Sequence, residues 1–147
     1  MPADAEEIDL AMARAIWEAG GLIVDVRTPE EYAAGHIPGA INVPVDRIAF
    51  HLERLPPGQV VTVCSMGNRA RRGAERFARL GRPAMHLRGG TKAWAAAGYP
   101  LVTGPDPGEW RPLARRVLRR VTEVLRHATE LATRWARRGG PRRRAAG

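Results

Sequence analysis

Apolar positions in this chain change their period several times between residues 8 and 100, and each change marks an element. Ile8, Met12, Ile16 and Trp17 recur at helical spacing, with Asp4 and Glu7 placed as a capping pair and Gly20-Gly21 as a stop. The pattern predicts a first helix starting near Asp4. Leu22-Ile23-Val24-Asp25-Val26 is a short run rich in β-branched residues, as in a strand buried on both faces. Thr28-Pro29-Glu30-Glu31 then spells a helix start, with Thr28 as N-cap, proline at the first helical position and Glu31 closing a capping box. Gly35 ends that helix, and Pro38-Gly39 turns the chain.

Ala40-Ile41-Asn42-Val43 reads as a second strand, and residues 46–55 as a helix with Ile48, Leu52 and Leu55 on one face. Pro56-Pro57-Gly58 closes it, and Val60-Val61-Thr62-Val63 is the third strand. A helix over 68–80, a fourth strand over 84–87 and a helix over 91–97 follow, with stops at Gly81 and at Gly98-Tyr99-Pro100. Strands alternating with helices at these separations build βαβ units, so the expected fold class is α/β, a parallel sheet flanked by helices. Gly104-Pro105-Asp106-Pro107-Gly108 is a turn-rich linker, which sets the domain at 1–104 and an extension at 105–147.

Composition narrows the class. An apolar share of 44% supports a real core and argues against wholesale disorder. The acidic start MPADAEEIDL is unlike a secretory signal, and no run approaches the roughly 18 apolar residues of a membrane span, so a cytoplasmic location is expected. Charge is unevenly spread: residues 1–104 carry 12 basic and 11 acidic side chains, residues 105–147 carry 12 and 4. With one cysteine no internal disulfide can form, and no cysteine-based zinc site is spelled out. The thiol is then either a buried filler or a chemical tool.

Its position leaves both readings open. In a doubly wound sheet ligands bind beyond the carboxyl ends of the strands, and Cys64 follows the third strand on the loop Cys64-Ser65-Met66-Gly67-Asn68-Arg69. Amide groups at the start of the next helix point into such a loop, and that environment favours a reactive thiolate. Gly67 lets the backbone curl, and Arg69 brings a positive charge within reach of anything bound at the sulfur. The arrangement reads as an anion-binding cup with a cysteine at its base.

Residues 22–102 resemble the single-domain rhodanese-like sulfurtransferase family. Asp25-Val26-Arg27 with Glu30-Glu31-Tyr32, followed by residues 35–42 (Gly-His-Ile-Pro-Gly-Ala-Ile-Asn), is similar to that family's N-terminal signature. Cys64 to Arg69 matches its active-site loop, and Gly89-Gly90 through Trp94, then Gly98-Tyr99-Pro100, its C-terminal signature. The resemblance implies that Cys64 attacks the outer sulfur of thiosulfate or of a persulfide donor and carries it as a persulfide. A thiol or cyanide acceptor then removes it, with Ser65, Met66, Gly67, Asn68 and Arg69 binding persulfide and anion. Neither a metal nor an organic cofactor is implied. The opposing reading is a non-catalytic rhodanese-like module for binding or redox sensing.

Loop length bears on rival chemistry, since related phosphatases and arsenate reductases separate Cys and Arg by five residues. Here four residues, Ser65 to Asn68, lie between Cys64 and Arg69, a smaller ring suited to a sulfur atom. Members of the family that prefer thiosulfate often carry a basic residue where Ser65 stands, and many have Ser or Thr in place of Ala70. Fewer charges weaken attraction for a dianion, so a persulfide or other thiol-bound sulfur is the expected donor. Arg71 and Arg72 either compensate or face solvent. Asp25, Arg27 and His36 read as supporting residues, with an Arg27–Glu31 salt bridge and His36 as a hydrogen-bonding brace. Trp94 reads as core, and Met66 as a residue at the loop mouth.

In the extension, Ala114, Val117, Val121, Val124, Ala128, Leu131 and Trp135 form an apolar seam on a basic amphipathic helix over 112–138, followed by a flexible Arg-rich tail at 139–144. Its arginines include Arg115, Arg116, Arg119, Arg120, Arg126, Arg134, Arg137 and Arg138. Three partners suit this helix: its own domain or a twin helix in a dimer, a membrane surface with Trp110 and Trp135 near its ends, or an acidic partner, nucleic acid being less favoured.

Overall fold

The computed structural model describes residues 5–108 and 113–137, and the chain divides into two compact units, residues 1–110 and 111–147. Asp4, Trp110 and the tail at 139–144 lie outside the described residues.

In the first unit, buried apolar runs line up as a five-stranded parallel sheet. In chain order its elements are β1 (Glu6–Ile8), α1 (Leu10–Glu18), β2 (Leu22–Asp25), α2 (Pro29–Ala34), β3 (Ile41–Asn42), α3 (Ile48–His51), β4 (Val60–Val63), α4 (Asn68–Arg79), β5 (Ala84–Leu87) and α5 (Gly90–Ala96). Spatial order across the sheet is β1-β5-β4-β2-β3, and every pairing is parallel. All four residues of β2, of β4 and of β5 are buried, because helices cover both faces. On one face Val24, Val60, Ala70, Ala74 and Phe77 pack together; on the other Ile23, Val61, Val63, Leu87 and Trp94 do. Trp94 is fully buried, stands edge-on to Trp17 and Tyr99, and donates its indole N–H to Pro100 O at 2.8 Å.

The α2 start follows the sequence closely: Thr28 and Glu31 form the reciprocal capping box, with Pro29 at the first position. The N-terminus does not. Ile8 belongs to a strand instead of the first helix, and Asp9 is the residue that caps α1, its Oδ1 accepting from Met12 N–H at 2.8 Å. The three-residue strand Glu-Glu-Ile has no alternating signal of its own; it forms by pairing with β5, aided by an ion pair from Glu7 to Arg88. Residues 46–55 also differ from one continuous helix. The four-residue α3 is flanked by 3₁₀ turns at Val45–Arg47 and Leu52–Arg54, and neither turn has a side-chain cap.

At the carboxyl end of β2 the chain buries a complete ion pair. Arg27 donates Nε and Nη2 to the Asp25 carboxylate at 2.7–3.1 Å, its own backbone N–H to Asp25 Oδ1 at 3.0 Å, and Nη2 to Gly35 O at 2.6 Å. The expected Arg27–Glu31 bridge does not form. Asp25, two residues away and fully buried, offers both oxygens to the fork, whereas Glu31 turns toward α4.

The second unit is described as one helix, α6 (Leu113–Arg137), a run of 25 residues. Val124, Leu131 and Trp135 of its apolar seam are exposed, as is Leu125 beside it; the side chains of Ala114, Val117 and Val121 lie outside the described ones. Among the described residues no helix is long and apolar enough to cross a membrane.

The buried pair yields a stability prediction. Asp25→Ala strands the Arg27 charge in the interior, and the expected loss is about 3–5 kcal/mol, read as a fall in the urea midpoint. A variant that unfolds at the wild-type urea concentration would show that the pair does not bear on the fold.

Candidate active site

Cys64 follows β4 directly and is 2% exposed, so the sheet delivers its sulfur to the carboxyl edge inside a polar loop. Gly67 N–H donates to Cys64 Sγ at 3.0 Å. Gly67 also precedes α4 and adopts φ of +121°, which a residue with a side chain rarely reaches. The turn therefore aims an amide at the sulfur.

The loop is anchored from α5. Thr91 N–H donates to Cys64 O at 2.8 Å and Lys92 N–H to Ser65 O at 3.2 Å. Gly90, at φ +60°, lies so close that a Cβ there would run into Cys64 O and the Ser65 carbonyl. The sequence marks Gly89-Gly90 as part of a signature, not as a contact to the cysteine loop. The signal was the pair of adjacent glycines at a helix start, a position where side chains normally supply the cap.

Glu31 is the other omission. Arg69 donates Nη1 to Glu31 Oε1 at 2.6 Å and Nη2 to Glu31 Oε2 at 2.8 Å, while Ser65 Oγ lies 3.3 Å from Glu31 Oε2 and 3.4 Å from Arg69 Nη2. One carboxylate thus gathers both charged and hydroxyl side chains of the loop. The Arg69 hydrogen bonds hold the Glu31 carboxyl at about 2, well below its usual 4.5, with Thr28 adding to the effect. In turn Glu31 raises the Arg69 guanidinium, and Cys64 adds a smaller electrostatic contribution in the same direction. Side-chain exposures of 32% and 35% mean that water screens this pair, so it is worth ~0–1 kcal/mol to the fold.

The remaining sequence candidates fall in two places. Met66 and Asn68 are exposed on the loop, Met66 at 67%. Arg71 and Arg72 face solvent, and Arg71 pairs with Glu75 at 3.2 Å. Asp25 and Arg27 form a buried corner at the end of β2, and His36 follows α2. His36 Nδ1 lies 2.8 Å from Tyr32 O, its ring stacks on Tyr32 at 3.7 Å, and its backbone bridges to Val102 in both directions at 2.9 Å. Asn42 ties this corner together, donating its side-chain amide to Asp25 O and Arg27 O at 3.1 and 2.9 Å. Among the described residues no group of three or more His, Cys, Asp or Glu could hold a metal ion.

A loop that begins at a strand end, curls around a cysteine sulfur and closes into a helix can be compared with known proteins. The profile of the Rhodanese-like domain matches residues 9–97. This chain belongs to the rhodanese-like family. A sulfurtransferase of Allochromatium vinosum is 37% identical over 83 residues, covering 55% of this chain and 78% of that protein. An HTH-type transcriptional regulator of Mycobacterium tuberculosis, Rv0324, is 40% identical over 95 residues, 62% of this chain but only 42% of the regulator. Among solved structures, a thiosulfate sulfurtransferase from Pseudomonas aeruginosa superposes with a TM-score of 0.64 at 28% identity, over 69% of this chain and 21% of that one. The rhodanese-like chain therefore spans less than half of the last two.

Two outcomes check this site. Gly90→Ala places a side chain at a left-handed position against the loop, at an expected cost of about 1–3 kcal/mol from the backbone alone; an unchanged thermal midpoint would mean that the close approach to Cys64 O is not made in solution. For Glu31 the sign follows from a depressed carboxylate: the pair's contribution is full above the ordinary 4.5 and fades as pH falls through about 2. Carboxyl-carbon NMR should place the Glu31 midpoint near 2, and a midpoint near 4.5 would show the pair open in solution.

Proposed function

We infer that this rhodanese-like chain is a sulfurtransferase that carries sulfane sulfur on Cys64. The observation that carries the reading is the hydrogen bond from Gly67 N–H to Cys64 Sγ at 3.0 Å, in a loop set at the carboxyl edge of the sheet. An amide aimed at sulfur stabilises negative charge there, first on the thiolate and then on the persulfide.

The steps are two displacements at sulfur. The Cys64 thiolate attacks the sulfane sulfur of the donor; the Sγ–S bond forms as the donor's S–S bond breaks. The leaving group keeps the bonding pair and departs as sulfite from thiosulfate, or as a thiolate from an organic persulfide. An acceptor, a thiolate or cyanide, next attacks the outer sulfur of the Cys64 persulfide, and the Sγ–S bond returns its electrons to Cys64. Both steps balance without an external oxidant or reductant. The sulfurtransferase of Allochromatium vinosum and the thiosulfate sulfurtransferase of Pseudomonas aeruginosa support this class of chemistry.

Similarity to the mycobacterial regulator favours a second reading, in which the domain is a binding or redox-sensing module and Cys64 reports rather than turns over. One experiment separates the two. Intact-protein mass spectrometry after incubation with thiosulfate, and separately with glutathione persulfide, should show Cys64 heavier by one sulfur atom, the gain lost on adding cyanide. Cys64→Ser should abolish both adduct and turnover while keeping the native circular dichroism spectrum. Absence of an adduct from either donor, or turnover retained without the thiol, would exclude sulfur transfer through Cys64.

A further inference from the structure

Glu31 lies against the cysteine loop, and sulfur transfer through Cys64 alone assigns it no task. Its carboxylate takes two guanidinium N–H groups of Arg69 at 2.6 and 2.8 Å and holds Ser65 Oγ at 3.3 Å. Arg69 carries the only formal positive charge of residues 64–69. That charge is matched by a carboxylate, and the hydroxyl beside the cysteine is turned onto the same group. Of the next basic residues on α4, Arg71 is exposed and paired with Glu75, and Arg72 is exposed. The pair also stays ionised through the working pH range, because Glu31 protonates only at about 2.

What faces a ligand at the sulfur is therefore a neutral donor, the amide of Gly67. A thiolate meeting an organic persulfide, R–S–S⁻, brings two negative charges together; a thiolate meeting thiosulfate brings three. With Arg69 cancelled, the loop has little to offset the third charge, and the Glu31 carboxylate, 3.3 Å from the hydroxyl of the residue after the cysteine, adds a negative charge nearby. Met66, 67% exposed on the same loop, adds an apolar surface suited to the organic part of a thiol-bound donor.

We propose that Glu31 is a specificity-determining residue: by holding Arg69 and Ser65 it selects thiol-bound persulfide donors over the thiosulfate dianion. The assignment rests on sulfur transfer through Cys64 and adds the donor class and the residue that sets it. The chemistry differs only in the leaving group: in the favoured reaction the donor's S–S bond breaks, a thiolate departs with the electron pair, and the Cys64 persulfide forms.

The test is Glu31→Gln. Glutamine can still accept from Thr28 N–H, so the capping box that starts α2 is preserved while the carboxylate charge is removed. The readout is the ratio of kcat/KM with thiosulfate to kcat/KM with glutathione persulfide. In E31Q that ratio is expected to rise about tenfold or more at an ionic strength of about 0.05 M, and the gain to shrink at about 0.5 M. In the double variant E31Q/R69A the ratio should fall back to the wild-type value, because the freed guanidinium is the group that attracts the dianion. An unchanged ratio in E31Q, or a gain that persists without Arg69, overturns the role of Glu31. Failure of the wild-type chain to take up sulfur from either donor overturns sulfur transfer itself, and the two failures are read from different samples.

Discussion

Two backbone hydrogen bonds, from Thr91 N–H to Cys64 O and from Lys92 N–H to Ser65 O, decide what the cysteine loop can be. Peptide units are planar and, among the described residues, all trans, so fixing those carbonyls toward α5 turns the amides of Ser65 and Met66 the opposite way. Those two oxygens, which would repel a thiolate, are thereby engaged elsewhere. Gly90 permits the arrangement by leaving out the atom that would stand in the way of Cys64 O. The C-terminal signature and the cysteine motif are thus one structure: residues some 25 positions downstream set the polarity of the loop, while Gly67 supplies the amide that meets the sulfur.

Much of the fold is legible because its signals are local. The buried runs at β2, β4 and β5, the capping box at Thr28, and the helix from Asn68 each follow from neighbouring residues and appear within a residue or so of expectation. β1 is not legible, since Glu6, Glu7 and Ile8 become a strand only by lying beside β5. The same division runs through the site. Cys64 and Gly67 are readable from their place after a strand. Glu31 is not: its three-residue spacing to Thr28 explains it completely as a capping residue, and nothing in the sequence marks Arg69, 38 positions away, as a second partner. Spacing alone points Arg27 to Glu31, and only the burial of Asp25 explains why Arg27 pairs there instead.

The two arginine–carboxylate pairs make a useful contrast. Arg27–Asp25 lies in the interior, where an unpaired charge is costly, and it joins β2 to the end of α2 through Gly35 O. Arg69–Glu31 is also bidentate, made end-on through Nη1 and Nη2, but stands partly in water, where it adds little to stability. Its consequence is the electrostatic potential at the loop. Identical chemistry thus serves architecture at one place and charge balance at another, and the difference is solvent.

The outermost strand on each side of the sheet is short, and the backbone of β3 is not left bare. Asn42 N–H, on the side away from β2, is taken by Asp106 Oδ2 at 2.6 Å, a side chain occupying the place of a further strand. At the other border β1 is three residues long and carries two exposed glutamates. A ladder can be extended by a foreign chain only where several amides and carbonyls stand open in a row, and charged borders repel a copy of themselves. Neither side of this sheet offers such a row among the described residues. The parallel sheet is thereby guarded against edge-to-edge stacking, the route by which sheets grow into fibres.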